Sequence, residues 1–137
     1  MGLYRNTKNK WYIEGRPKNL NLLTIRLPIN ALVSILHRAT GCILFLLLPV
    51  LLGLYQFSLS SSESYAMVLA ILKSPLSKLL LLGITWIFTH HFLAGIRHLV
   101  MDIHFLTSLM KARLTSRCVL VLDFCITLYV AVLLWYW

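Results

Sequence analysis

The sequence predicts an all-α integral membrane protein, a bundle of three transmembrane helices, on three observations. Of 137 residues, 59% are apolar and only 12% are charged, whereas a soluble domain is about a quarter charged. The apolar residues gather in three runs, each close to the roughly 20 residues that one helix needs to cross the hydrocarbon core. The 13 basic residues outnumber the 4 acidic ones, for a formal net charge of +9, and they collect at the ends of those runs. This length suits three spans and one domain and leaves no room for a separate soluble enzyme. Charge alone would also suit nucleic acid, but basic residues that flank apolar spans exclude that class. Cys42, Cys118 and Cys125 are odd in number and lack C-x-x-C spacing. They predict buried, inert thiols rather than a disulfide framework or a zinc site.

Residues 1–27 form a basic arm, with Arg5, Lys8, Lys10, Arg16, Lys18 and Arg26 against the single acid Glu14 and no helical or strand periodicity. Residues 28–137 form the three-helix transmembrane unit, with spans at about 31–59, 79–100 and 118–137. Pro28 suits the first position of a helix, where its missing N–H costs nothing. Ala39 to Leu59 holds no charged residue, and Pro49 inside it predicts a kink. The Ser-rich loop from Ser60 to Lys78 has room for a short helical turn at Tyr65 to Leu72. Leu79 to Ile96 is the second apolar run, Asp102 to Arg117 a polar connection, and Cys118 to Trp137 the third run. The third run ends in the aromatic anchor Trp135-Tyr136-Trp137. Eleven basic residues lie on the side of the N-terminal arm and the second loop, against two, Lys73 and Lys78, in the first loop. That bias orients the N-terminus toward the cytoplasm, or the matrix.

The residues that carry chemistry sit at the basic end of the first two spans. His91 and His98 are seven residues apart and share a helix face, with Gly95 between them to let a flat group approach the backbone. An imidazole inside the membrane is a functional hypothesis by default. His91 lies six residues before Arg97, about 9 Å inside at 1.5 Å per residue, and reads as an axial ligand to a haem iron. Ser34, His37, Arg38 and Gly41 form a matching stripe on the first helix. Helices joined by a short loop pack as antiparallel neighbours, so the two stripes should face each other. Arg38, Arg97, His37 and His98 are candidate cations for haem propionates. Ser34 and Arg38 are candidate donors to quinone carbonyls. The competing readings are structural: an interhelical hydrogen bond for His91, snorkelling for the arginines, packing for His90 and the glycines. Asp123, about 9 Å inside the third span, must be paired, protonated or wetted. An Arg or a lipid head group is its expected partner, and proton delivery to a quinone the sharper alternative.

Together, Arg16-Pro17, Ser34-x-x-His37-Arg38-x-Thr40-Gly41 and His91-x3-Gly95-x-Arg97-His98-Leu99-x-x-Asp102 resemble the cytochrome b anchor subunits of succinate dehydrogenase, respiratory complex II. The stretch from Arg16 to Pro28 is similar to proteobacterial members, and the resemblance covers roughly residues 16–137. It implies one haem b shared with a second membrane anchor subunit, one axial histidine coming from each chain. It implies an iron–sulfur subunit and a flavoprotein docked on the cytoplasmic or matrix side, and electrons passing from succinate to ubiquinone. By position in the motifs it implies His91 as the haem ligand, Ser34 and Arg38 as quinone-site residues, and His37 and Arg38 as propionate contacts. Asp102 closes the second motif as a structural partner of Arg97 or of the iron–sulfur subunit. Some members carry Ser-Pro-His shortly after Arg-Pro; here the chain continues Lys18-Asn19-Leu20, which favours a bacterial branch. The resemblance assigns no role to Asp123.

The expectation is therefore an anchor of a succinate:quinone oxidoreductase in a bacterial inner membrane, surrounded by lipid and without catalysis on its own. A fumarate reductase anchor that oxidises menaquinol and a non-haem structural membrane protein are the two rivals.

Overall fold

The computed structural model describes residues 3–5, 11–13, 27–103 and 108–137. Arg16-Pro17, most of the basic arm and His104 lie outside the described residues. Within the arm, β1 (Leu3–Arg5) pairs antiparallel with β2 (Trp11–Ile13), Tyr4 opposite Tyr12. Aromatic and β-branched residues favour extended backbone, and three-residue strands are too short to show as a periodicity.

Four helices follow: α1 (Ile29–Ser58), α2 (Ser62–Leu72), α3 (Pro75–Asp102) and α4 (Leu109–Tyr136). Among the described residues α1, α3 and α4 are long and apolar enough to cross a membrane, and α2 is a short apolar helix. Each boundary has a local cause. Pro28 is the N-cap of α1, one residue earlier than the sequence suggests, and α1 continues unbroken through Pro49. Ser61, Ser74 and Ser108 cap the next three helices by accepting from the backbone N–H of Ser64, Ser77 and Lys111, which satisfies donors the helix leaves open. Pro75 follows its cap in the first turn of α3. The long helices overrun the apolar runs. α4 begins at Leu109, so most of the expected polar connection is helix and the break after α3 is short.

α3 packs against both α1 and α4, α1 also touches α4, and α2 lies across the far loop against α1 and α3. The three long helices meet at Val33, Ala94 and Val119, one buried residue from each, flanked by Leu93 and Leu120. Ala94 is small, which lets helix backbones approach. Most large apolar side chains face outward, Phe45, Leu46, Phe88, Phe92 and Phe124 among them. In lipid this is expected, since hydrocarbon is as apolar as Leu and gives no drive to bury it. Cys42, Cys118 and Cys125 are free, but all three are exposed on these outward faces rather than buried. Their neighbours in the membrane are lipid or another chain, for which an apolar thiol is as suitable as in a core.

Polar contacts tie the bundle at both ends. At one, the Ser116 hydroxyl of α4 donates to Oδ1 of Asn30 in α1 at 2.8 Å. At the other, Lys78 Nζ donates to the Leu134 carbonyl at 2.9 Å. Lys73 and Lys78 also approach the Trp137 ring at 5.9 Å. A cation on the last carbonyls of α4 complements the negative end of its dipole.

Candidate functional site

α3 carries two parallel stripes, and each serves a different neighbour. His91 and His98 are seven residues apart, as are His90 and Arg97, and adjacent residues on a helix diverge by about 100°. His91 and His98 lie against α1, whereas His90 and Arg97 turn to α4.

On the α1 side the three imidazoles form one cluster. The His37 and His91 rings are stacked, with centroids 4.3 Å apart and planes 9° from parallel. The His98 ring lies 5.0 Å from His37 at 50°. His37 thus sits between the two α3 histidines and over Gly95, where an added Cβ would come within 3.4 Å of its Nε2. The flat group that Gly95 admits here is the His37 ring itself. Gly41 does the same for His91: a Cβ at position 41 would lie 2.9 Å from Cε1 of that ring, too close for any side chain to remain undisturbed.

The tautomer of His91 follows from its partner. Nδ1 lies 3.1 Å from the main-chain carbonyl oxygen of His37, and a carbonyl only accepts. Nδ1 therefore carries the proton. Thr40 Oγ1 is also near, at 3.4 Å, while its own hydroxyl donates back to the Leu36 carbonyl at 2.8 Å. Thr40 is buried where the two helices touch, and its back-bonding satisfies the hydroxyl inside the membrane. Nε2 of His91 has no hydrogen-bond partner among the described residues and keeps its lone pair. An imidazole that donates one N–H to a carbonyl and offers the other nitrogen is the usual arrangement of a metal-ligating histidine. No group of three His, Cys, Asp or Glu side chains among the described residues is placed to hold a bare metal ion. A metal carried in a macrocycle asks this chain for one imidazole only, so the donor set fits a haem.

Arg38 is exposed and Ser34 half-buried, one turn from each other on α1, and neither polar group has a partner among the described residues. Arg38 borders an open groove of about 610 Å³ with Gly41, Cys42, Phe45 and Leu46. A cation beside an apolar slot suits an amphiphilic ligand with carbonyl or anionic ends.

Three sequence-derived candidates lie elsewhere. Arg97 is buried, and its Nε and Nη2 donate to Thr115 Oγ1 and the Ala112 carbonyl, each at 3.3 Å. It fastens α3 to α4 and does not join the imidazole cluster. Asp102 is exposed and makes no ion pair with Arg97; five helix steps place the two on different faces. Asp123 has a partner that the sequence reading missed. Its Oδ2 is 3.2 Å from Nδ1 of His90, and the two side chains are 1% and 0% exposed. The signal was present as depth: His90 lies seven residues inside Arg97, and Asp123 six inside Arg117.

Residues 13–130 match the profile of the succinate dehydrogenase/fumarate reductase transmembrane subunit. The chain belongs to this family. The transmembrane subunit is 34% identical over 121 residues to the succinate dehydrogenase cytochrome b556 subunit of Coxiella burnetii, covering 88% of this chain and 97% of that one. It is 32% identical over 130 residues to the protein of the same name from Rickettsia felis, covering 94% and 98%. It is 29% identical over 106 residues to that of Paracoccus denitrificans, covering 77% and 82%. The family places its members in membranes, in agreement with three apolar helices of spanning length.

Proposed function

We propose that this transmembrane subunit is the cytochrome b anchor of a succinate:quinone oxidoreductase, binding one haem b with a second anchor chain and forming part of the ubiquinone-reduction site. The observation that carries this reading is the His91 Nδ1–H bond to the His37 carbonyl, which leaves Nε2 as a ligand at the close contact of α1 and α3. A bound haem b accepts and returns one electron. This chain's residues supply the rest of the environment. His91 holds the iron, Gly41 and Gly95 make room for the rings, and His37, Arg38 and His98 offer donors to the propionates. Ser34 and Arg38 orient a quinone head by donating to its carbonyl oxygens, while the apolar wall of α1 takes its tail.

The other haem ligand comes from the second anchor, as the resemblance to the cytochrome b anchors implies. An iron–sulfur subunit and a flavoprotein complete the complex on the side of Arg38, Arg97 and the basic arm, which the charge bias assigns to the cytoplasm of a bacterial inner membrane. The names of the relatives, succinate dehydrogenase cytochrome b556 subunits, favour this direction. The family description also covers fumarate reductase, so menaquinol oxidation is the second reading. The purified complex tests both. Succinate should reduce a b-type haem and then ubiquinone. A complex without a haem band would overturn the cytochrome assignment, and one that turns over only with menaquinol and fumarate would select the second reading.

A further inference from the structure

We infer that His90 and Asp123 form a latch that fixes the rotation of α3 about its axis and so aims His91 at α1. Both act as positioning residues for the haem ligand, and the inference rests on His91 having that role.

α3 needs such a device. Its outward face is apolar, with Phe88, Phe92, Ile96 and Leu99 all exposed. Lipid does not distinguish one apolar face from another, so burial alone sets the rotation weakly. A rotation of about 20° displaces a side-chain tip some 5–6 Å from the helix axis by about 2 Å. That is enough to break the 3.1 Å contact between His91 and the His37 carbonyl. A directional bond from the adjacent residue resists the displacement. His90 points to α4 when His91 points to α1, and Nδ1 of His90 meets Oδ2 of Asp123 at 3.2 Å. Trp86, one turn earlier, stacks on the His90 ring with centroids 5.5 Å apart and holds it from the side. Arg97, on the same stripe, supplies a second fixed point through Thr115 and Ala112. The two links act as a pair of pegs along one edge of α3.

The cost of the arrangement points the same way. His90 Nε2, Asp123 Oδ1 and the Thr127 hydroxyl are buried without partners among the described residues. Stability alone would favour apolar residues in such a place. Buried polar groups with unmet hydrogen bonds ask for a role, and specifying one rotation of α3 is such a role.

The test uses the complete complex with three variants, Asp123→Asn, Asp123→Leu and the double variant His90→Leu/Asp123→Leu. Haem per complex, the haem midpoint potential and the low-spin electron paramagnetic resonance signal of the oxidised haem are read for each. Asp123→Asn keeps an oxygen that accepts from His90 and should match the wild type in all three. Both leucine variants should shift the resonance signal and the potential and lower haem occupancy, with succinate oxidation by an artificial dye unchanged. The double variant leaves no orphaned polar partner, so it should assemble even if the single one does not. A double variant with wild-type signal and potential overturns the latch. So does Asp123→Asn if its signal and potential depart from the wild type, since charge rather than the bond would then matter; if neither leucine variant assembles, this comparison with the wild type decides alone. An unchanged haem band in His91→Ala removes the ligand assignment instead, a result distinct from failure of the latch.

Discussion

Nδ1 of His91 in α3 donates to the main-chain carbonyl of His37 in α1 across 3.1 Å. The bond uses a carbonyl that sits within an α1 turn, so a side chain on one helix reads the backbone position of the other. It fixes both the tautomer of His91 and the spacing of the two helices.

Gly41 is the position least able to accept a side chain. A Cβ there falls 2.9 Å from Cε1 of His91, and the ring, held by its bond to His37, has to turn. Gly41→Val should therefore lower haem per complex sharply, and Gly41→Ala less so. Gly53→Ala, where a Cβ meets nothing within 4 Å, should leave haem content unchanged. Pigment measured against protein separates the three. Equal haem in Gly41→Val and the wild type would contradict the packing described.

Arg97 acts between helices. Its two bonds to α4 are hydrogen bonds from a buried charge, worth about 1.5–3 kcal/mol each. Arg97→Gln should lower the thermal midpoint of the complex. Arg97→Lys should recover little of it, because a single ammonium does not reproduce the fork that reaches both acceptors.

Ser34 and Arg38 have no polar partner among the described residues, and the proposed role for both is at the quinone. Ser34→Ala and Arg38→Leu should slow succinate-driven ubiquinone reduction. Reduction of an artificial dye, which draws electrons before the membrane, should be retained. Steady-state rates with both acceptors check this; parallel loss of the two activities would indicate damage to assembly instead.

Ser116 ties α4 to Asn30 of α1 at 2.8 Å and is fully buried. Ser116→Ala should cost about 1 kcal/mol of stability, read as a modest fall in thermal midpoint without a spectral change in the haem.

Much of the architecture was legible because lipid imposes simple rules. Three apolar runs with basic ends predict three spanning helices, and His37 and Gly41 of the first stripe do meet His91 and His98 of the second. Their shared face follows from helical period and antiparallel packing alone. The beginning of α4 was not legible from hydropathy, since Lys111, Arg113 and Arg117 read as a loop although they are good helix formers once Ser108 caps them. Arg97 and His90 required knowledge of which side of α3 meets α4, which no one-dimensional pattern contains. Depth marks Asp123 as a carboxylate in need of a partner, but the sequence points to an arginine or a lipid head group where a histidine stands. The cysteines were misplaced because apolar residues in a membrane bundle point outward as readily as inward.

The central claim is that His91 ligates the haem, and the most direct measurement is the reduced-minus-oxidised visible spectrum of the assembled complex carrying His91→Ala. Loss or clear alteration of the b-type band, with subunit composition intact, is the predicted result. A spectrum identical to the wild type would contradict it and would leave the His37–His91 contact as a packing feature of α1 and α3.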